Sequence, residues 1–112
     1  MSYKISFSSY FVSEAKKLKK RYHSFLSDLE NFKKSIEENP FQGTELSPGI
    51  RKIRMVISSK GKGLSGGARV ITYNVLTSEK DGRIIFLLIY DKSDADTIKM
   101  NVVKKIIQDL NL

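Results

Sequence analysis

The sequence predicts an α+β fold: a small antiparallel-rich sheet with an N-terminal helical hairpin and a C-terminal helix. Three observations carry this. An apolar stripe of helical period runs from Phe11 to Ile36, alternating or wholly apolar segments divided by turn formers run from Ile50 to Tyr90, and a shorter helical stripe closes the chain from Ile98 to Leu110.

The elements follow in order. Tyr3, Ile5 and Phe7 alternate with Lys4, Ser6 and Ser8, the period of a half-buried strand. From Phe11 the step changes to three and four residues. Phe11, Ala15, Leu18, Tyr22, Phe25, Leu29, Phe32 and Ile36 share one face, while Lys16, Lys17, Lys20, Asp28, Glu30, Lys34 and Glu37 lie on the others. Periodicity alone allows one long helix. Two antiparallel helices are expected instead, because a single helix of that length hardly buries its whole stripe in so small a domain. Tyr22-His23 is the expected break, with the Ser24 hydroxyl capping the second helix, and Asn39-Pro40 ends it.

Residues 40–49 (PFQGTELSPG) read as a loop. Ile53, Met55 and Ile57 alternate with Lys52, Arg54 and Val56, which puts Lys52 and Arg54 side by side on one face of a strand. A glycine-rich hairpin tip over 58–67 leads into a strand from Ala68 to Thr77, and Glu79-Lys80-Asp81-Gly82 reads as a tight turn. Arg83 to Tyr90 is apolar on both faces after its first residue, as a central covered strand requires. After a polar turn over 91–96, Ile98, Val102, Val103, Ile106, Ile107 and Leu110 form the buried side of the last helix.

A chain of 112 residues, 40% hydrophobic and 29% charged, is one domain spanning 1–112 with room for a modest core. Absence of cysteine excludes disulfide frameworks and Cys-based zinc sites. The opening lacks the long apolar run of a signal peptide, and the longest apolar run, Ile84 to Tyr90, is far too short to span a bilayer. A cytoplasmic protein with no membrane association is expected.

The net charge of +8 is unevenly placed. Between Leu46 and Ser78 stand six basic residues, Arg51, Lys52, Arg54, Lys60, Lys62 and Arg69, and no acidic one. A basic field without local neutralisation suits a phosphate backbone; the plainer alternative is a solvated basic hairpin with no partner.

Five stretches give the chain a resemblance to the RelE/HigB family of bacterial toxins over nearly its whole length. They are Asn39-Pro40-Phe41, Gly49-Ile50-Arg51-Lys52-Ile53-Arg54, Lys60-Gly61-Lys62, Ser65-Gly66-Gly67-Ala68-Arg69-Val70-Ile71 and Ile89-Tyr90-Asp91-Lys92. The Gly-Gly-Ala-Arg-Val-Ile element after a Lys-Gly-Lys tip is the most specific of them. The resemblance implies the toxin of a type II toxin–antitoxin system, an mRNA interferase that enters the ribosomal A site and cuts the messenger RNA being translated. It also implies restraint by a cognate antitoxin of the HigA or RelB kind. The implied cleavage uses no metal and no cofactor: the ribose 2′-hydroxyl attacks the neighbouring phosphate, leaving a cyclic phosphate and a 5′-hydroxyl.

That chemistry asks for a proton acceptor, donors to the charged phosphate and an acid for the leaving oxygen. The single histidine, His23, falls between the helices and reads as a loop or cap residue, so lysine and arginine must carry most of the work. A lysine crowded by cations is a candidate base, either Lys52 or Lys60. Lys52 and Arg54 match basic active-site positions of the family. Arg69 matches its strand arginine, and a planar guanidinium suits bidentate contact with a phosphate. Arg51, Lys60 and Lys62 are expected to grip RNA without sequence preference. Tyr73 is expected in the core.

The family pattern breaks after the last strand. Some relatives carry an arginine there and a tyrosine further on; here Lys92 is the only cation in Asp91-Lys92-Ser93-Asp94-Ala95-Asp96, and no tyrosine follows. Lys92 is expected as a substitute phosphate contact, with a surface ion pair to those aspartates as the alternative. The acid step has no owner. Two other readings stay open: a ParE-like toxin acting on DNA gyrase, and a catalytically silent binding relative.

Overall fold

Ser8 decides where the first strand gives way to helix. Its hydroxyl accepts from the Phe11 amide at 3.0 Å and donates to the Leu87 carbonyl at 2.6 Å, so one buried side chain caps a helix and ties it to the sheet. The structure, a computed structural model, describes residues 2–78 and 81–111. Strand β1 (Ser2–Phe7) leads into helices α1 (Ser9–Arg21) and α2 (Phe25–Glu38). Strands β2 (Thr44–Ser47) and β3 (Ile50–Met55), a 3-10 turn (Ser58–Lys60) and a short helix α3 (Gly63–Gly66) follow. Strands β4 (Ala68–Leu76) and β5 (Asp81–Asp91) and helix α4 (Met100–Asp109) complete the chain. The fold is α+β, as expected.

The sheet is mixed, in the order β1-β5-β4-β3-β2. Only β1 and β5 run parallel, and the other pairs are antiparallel. The helical stripe behaves as its period requires. Phe11, Leu18, Phe25, Phe32 and Ile36 are buried in one cluster with Ile53, Met55, Val70, Ile84, Phe86 and Ile89, and Ala15, Tyr22 and Leu29 pack against it. On the opposite face Ile50, Ile71, Ile85 and Leu87 meet Val103 and Ile106 of α4. The helices therefore divide between the two faces.

Several expectations need correction. Thr44–Ser47, read as loop, pairs with β3 as the outermost strand. A four-residue edge strand carries too little alternation to stand out from a turn-rich segment. Asp81 and Gly82 already belong to β5, although the Asp81 carbonyl closes the hairpin by accepting from the Thr77 and Ser78 amides; Glu79 and Lys80 of that turn lie outside the described residues. Helix α4 begins at Met100, so Ile98 packs from the preceding loop, and Val102 is 45% exposed on the outer side. The Ser24 hydroxyl makes no cap bond to its own helix. It accepts from the Ser59 amide at 2.9 Å and lies 2.7 Å from an Asp28 carboxylate oxygen. Asp28, placed on a polar face by its spacing, is buried: both its oxygens accept from Ser58, through the amide at 2.8 Å and the hydroxyl at 2.7 Å.

One irregularity positions everything that follows. Ile71 pairs with Leu88 and Thr72 with Phe86, so Leu87 is an extra residue in β5. A bulge of this kind reverses the inside–outside alternation beyond it. Leu87 consequently belongs to the α4-side cluster with Leu88 beside it, Ile89 returns to the α1–α2 side, and Tyr90 faces the α4 side again. Asp91 is left pointing at α1.

Candidate active site

Ile50, Lys52 and Arg54 alternate with Arg51, Ile53 and Met55 along β3, and burial of Ile50 in the α4-side cluster puts Lys52 and Arg54 on that face. Arg54 lies directly opposite Arg69 across the β3–β4 pair, and facing residues of an antiparallel pair project to the same side. Past the end of β5, the Lys92 amide donates to the Gly67 carbonyl at 3.0 Å, which brings that lysine alongside. Lys52, Arg54, Arg69 and Lys92 thus line one open cavity of about 590 Å³, with Leu64 and Asp96 among its other walls.

Their states differ. Arg54 is exposed, and its guanidinium makes no hydrogen bond or ion pair among the described residues. Arg69 is 4% exposed; its Nη1 donates to the Leu64 and Ala68 carbonyls, both at 3.2 Å, and its Nη2 to the Ser65 carbonyl at 3.1 Å. Carbonyls orient a guanidinium without cancelling its charge, so the positive potential persists. What they remove is donor capacity, since both Nη1 hydrogens are engaged. The close approach behind this arrangement needs Gly67, where a Cβ would stand 2.0 Å from the Met55 carbonyl oxygen.

Asp96 is the counter-charge. Its carboxylate pairs with the Lys92 ammonium, its carbonyl accepts from Lys52 Nζ at 3.2 Å, and the Tyr90 hydroxyl makes a long contact of 3.4 Å to the same carbonyl. The Lys92 hydrogen bond and charge, helped by Lys52 and Arg69, hold the Asp96 carboxyl below the usual carboxylate range. Tyr90 pairs with Arg69 in the β4–β5 register and is 8% exposed. Burial and Asp96 push its phenol up, against the pull of Arg69. Sequence reasoning did not place Tyr90 beside the cations. Only the bulge at Leu87 turns it there, and two adjacent leucines in an apolar run give no sign of a bulge.

The other expected RNA contacts go elsewhere. Arg51 projects to the α1–α2 side, where Nε donates to the Gln42 carbonyl at 2.8 Å and Nη2 to the Gly43 carbonyl at 3.1 Å, with Glu45 3.8 Å away. Lys60 is no solvated tip residue: its side chain is 7% exposed and its Nζ sits 2.6 Å from Asp91, above the Tyr22 ring. That pairing keeps Lys60 out of the cavity, which Lys52 lines. Lys62 stays exposed on the tip, and His23 is exposed in the turn between α1 and α2. Tyr73 is half-buried against the α4-side cluster, as expected.

Asp91 forms a buried hub on the opposite side of β5 from Tyr90. It accepts from Arg21 Nη1 at 2.9 Å, Tyr22 Oη at 2.5 Å, Lys60 Nζ at 2.6 Å and the Ser93 amide at 2.9 Å. Burial alone would raise its carboxyl, but the bonds from Lys60, Ser93 and Tyr22 outweigh that and hold it far below the ordinary range. The hub joins α1, the 3-10 turn and the end of β5, and so fixes the strand end that carries Tyr90 and Lys92.

Fold and site together define a small α+β domain with a cation-lined cavity at the junction of β3, β4 and the end of β5. No family model matches the chain. Among the described residues, no helix is long and apolar enough to cross a membrane.

Proposed function

We propose that the protein is the toxin of a bacterial toxin–antitoxin system, a ribosome-dependent endonuclease acting on messenger RNA in the cytoplasm. The observation that supports this reading is the convergence of Lys52, Arg54, Arg69 and Lys92 on one cavity. Four cations against one carboxylate make a cradle for a ribose-phosphate junction. Lys52 takes the proton from the 2′-hydroxyl as it attacks phosphorus. Arg54, with unused donors, and Arg69, with a fixed charge, stabilise the pentacoordinate phosphate. The bond to the 5′-oxygen breaks, giving a cyclic phosphate and a 5′-hydroxyl, and that oxygen takes its proton from water or a ribosomal group. The catalytically silent alternative draws its support from the pairing of Lys92 with Asp96. The deciding experiment is induced expression in bacteria with mapping of messenger 5′ ends. The nuclease stops translation and leaves new 5′ ends within codons; a gyrase poison induces a DNA damage response; a silent relative does neither. With purified components, cleavage is expected only when translating ribosomes are supplied, and efficient cutting of naked RNA contradicts the proposal.

A further inference from the structure

We propose that the groove beside the cation cradle is a pocket for an unpaired nucleobase, taking the base that neighbours the phosphate held at Arg54. The inference rests on the nucleic-acid reading above and adds a second subsite to it. A cavity of about 300 Å³ between α2 and the end of β3 shares Gln42, Arg54 and Leu64 with the cradle, so the two form one continuous groove. The groove can pass round the sheet because β2 pairs with β3 no further than Lys52, leaving the outer edge of β3 from Ile53 onward without a strand neighbour.

The lining of this second cavity differs in kind from the first. Arg54 is its only cation, and its one carboxylate, Asp28, is already bonded to Ser24 and Ser58. A phosphate has nothing to gain there. Leu64 and Val56 are 55% and 37% exposed, apolar surface uncovered by any part of the described chain. Beside them stand two amides: the Asn31 side chain makes no hydrogen bond among the described residues, and the Gln42 carboxamide nitrogen donates to Ser35 and to the Asn39 carbonyl while its oxygen accepts from none of them. Apolar walls with a few amide groups suit the flat face and polar edge of a base, and pairing with a free guanidinium at the rim matches the alternation of base and phosphate along a single strand.

The test titrates 2′-O-methyl RNA hexamers, which lack the attacking hydroxyl, into the whole protein at low salt, with a single abasic site stepped along the strand. Loss of the base at one position is expected to weaken binding about tenfold, and at the other positions much less. Asn31→Trp, filling the pocket from an exposed helix position, is expected to abolish that penalty by lowering the intact oligomer to the affinity of the abasic one. Equal binding of all abasic oligomers, with affinity still lost in Arg54→Ala, overturns the base pocket and leaves the cradle standing. Persistence of the penalty in Asn31→Trp places the base elsewhere and also overturns it. No binding of any oligomer removes the nucleic-acid reading and this inference together.

Discussion

Arg54 and Arg69 face each other across the β3–β4 pair, yet one guanidinium lies at the surface with no partner among the described residues and the other is buried against three backbone carbonyls. Two like charges on one side of a strand pair repel. The carbonyls of Leu64, Ala68 and Ser65 make the position of Arg69 tolerable, and exposure to water does the same for Arg54. The two arginines therefore serve different tests of the site.

Arg54→Ala removes a guanidinium that bonds to none of the described residues, so its effect on stability is expected within about 0.5 kcal/mol. Its effect on toxicity is expected to be large, a loss of at least about a hundredfold in ribosome-dependent cleavage. Arg54→Lys is expected to restore only part of it, because a point charge cannot replace the planar fork. Growth arrest, cleavage rate and thermal unfolding of the three proteins check this. A fully toxic Arg54→Ala variant takes Arg54 out of the mechanism.

Arg69→Ala is expected to abolish growth arrest as well, but with a stability cost of about 1–3 kcal/mol, since it strands the carbonyls that hold α3 in place. Denaturant unfolding beside the activity assay separates the two effects.

Asp96→Asn frees Lys92 from its carboxylate while keeping the backbone carbonyl that receives Lys52. Affinity for inorganic phosphate and short RNA is expected to rise several-fold at low salt, with a steeper decline as salt is added. Titration at two ionic strengths reads both. Unchanged or weaker binding shows that the Asp96 carboxylate does not compete for the cradle.

Asp91→Ala leaves Lys60 buried without its partner and is expected to cost about 3–5 kcal/mol, measured by urea unfolding. The carboxyls of Asp91 and Asp28 both lie below their unfolded values in the folded state. Groups shifted this way add stability that is fully present above the unfolded value and is lost as pH falls through the folded one. Stability is therefore expected to decline below about pH 4. The decline should be shallower in Asp91→Ala, whose remaining contribution comes from Asp28 and weaker pairs.

Gly67→Ala is expected to destabilise by about 1–3 kcal/mol, because a Cβ there collides with the Met55 carbonyl oxygen. Gly61, where a Cβ meets nothing within 4 Å, sits at φ +70, so Gly61→Ala isolates the backbone penalty from the packing one. Paired thermal melts of the two variants distinguish these causes.

Much of the fold was legible in residue spacing. All eight positions of the Phe11-to-Ile36 stripe lie in or against one core cluster, and the break fell at Tyr22-His23 as expected. The short edge strand at Thr44–Ser47 was not legible, because its pairing depends on β3 more than on its own residues. Of the site, the side-by-side placement of Lys52 and Arg54 follows from strand period, whereas the partners of Lys60 and Arg51 do not. Lys60 meets an aspartate 31 positions away, and no local pattern announces such a contact.

The sequence by itself determined the main helices and strands and the face most of their residues take, because both follow from the repeat of the backbone a few residues at a time. It also determined that the positive charge gathers in the middle third. Only the tertiary structure decided which of those charges remain available. Burial drew Lys60 to Asp91 and Arg69 to backbone carbonyls, while the extra residue Leu87 turned Tyr90 toward the cations and Asp91 away from them. The availability of a buried or facing charge depends on what the rest of the chain brings within about 4 Å, and that is a property of the folded molecule, not of any stretch within it.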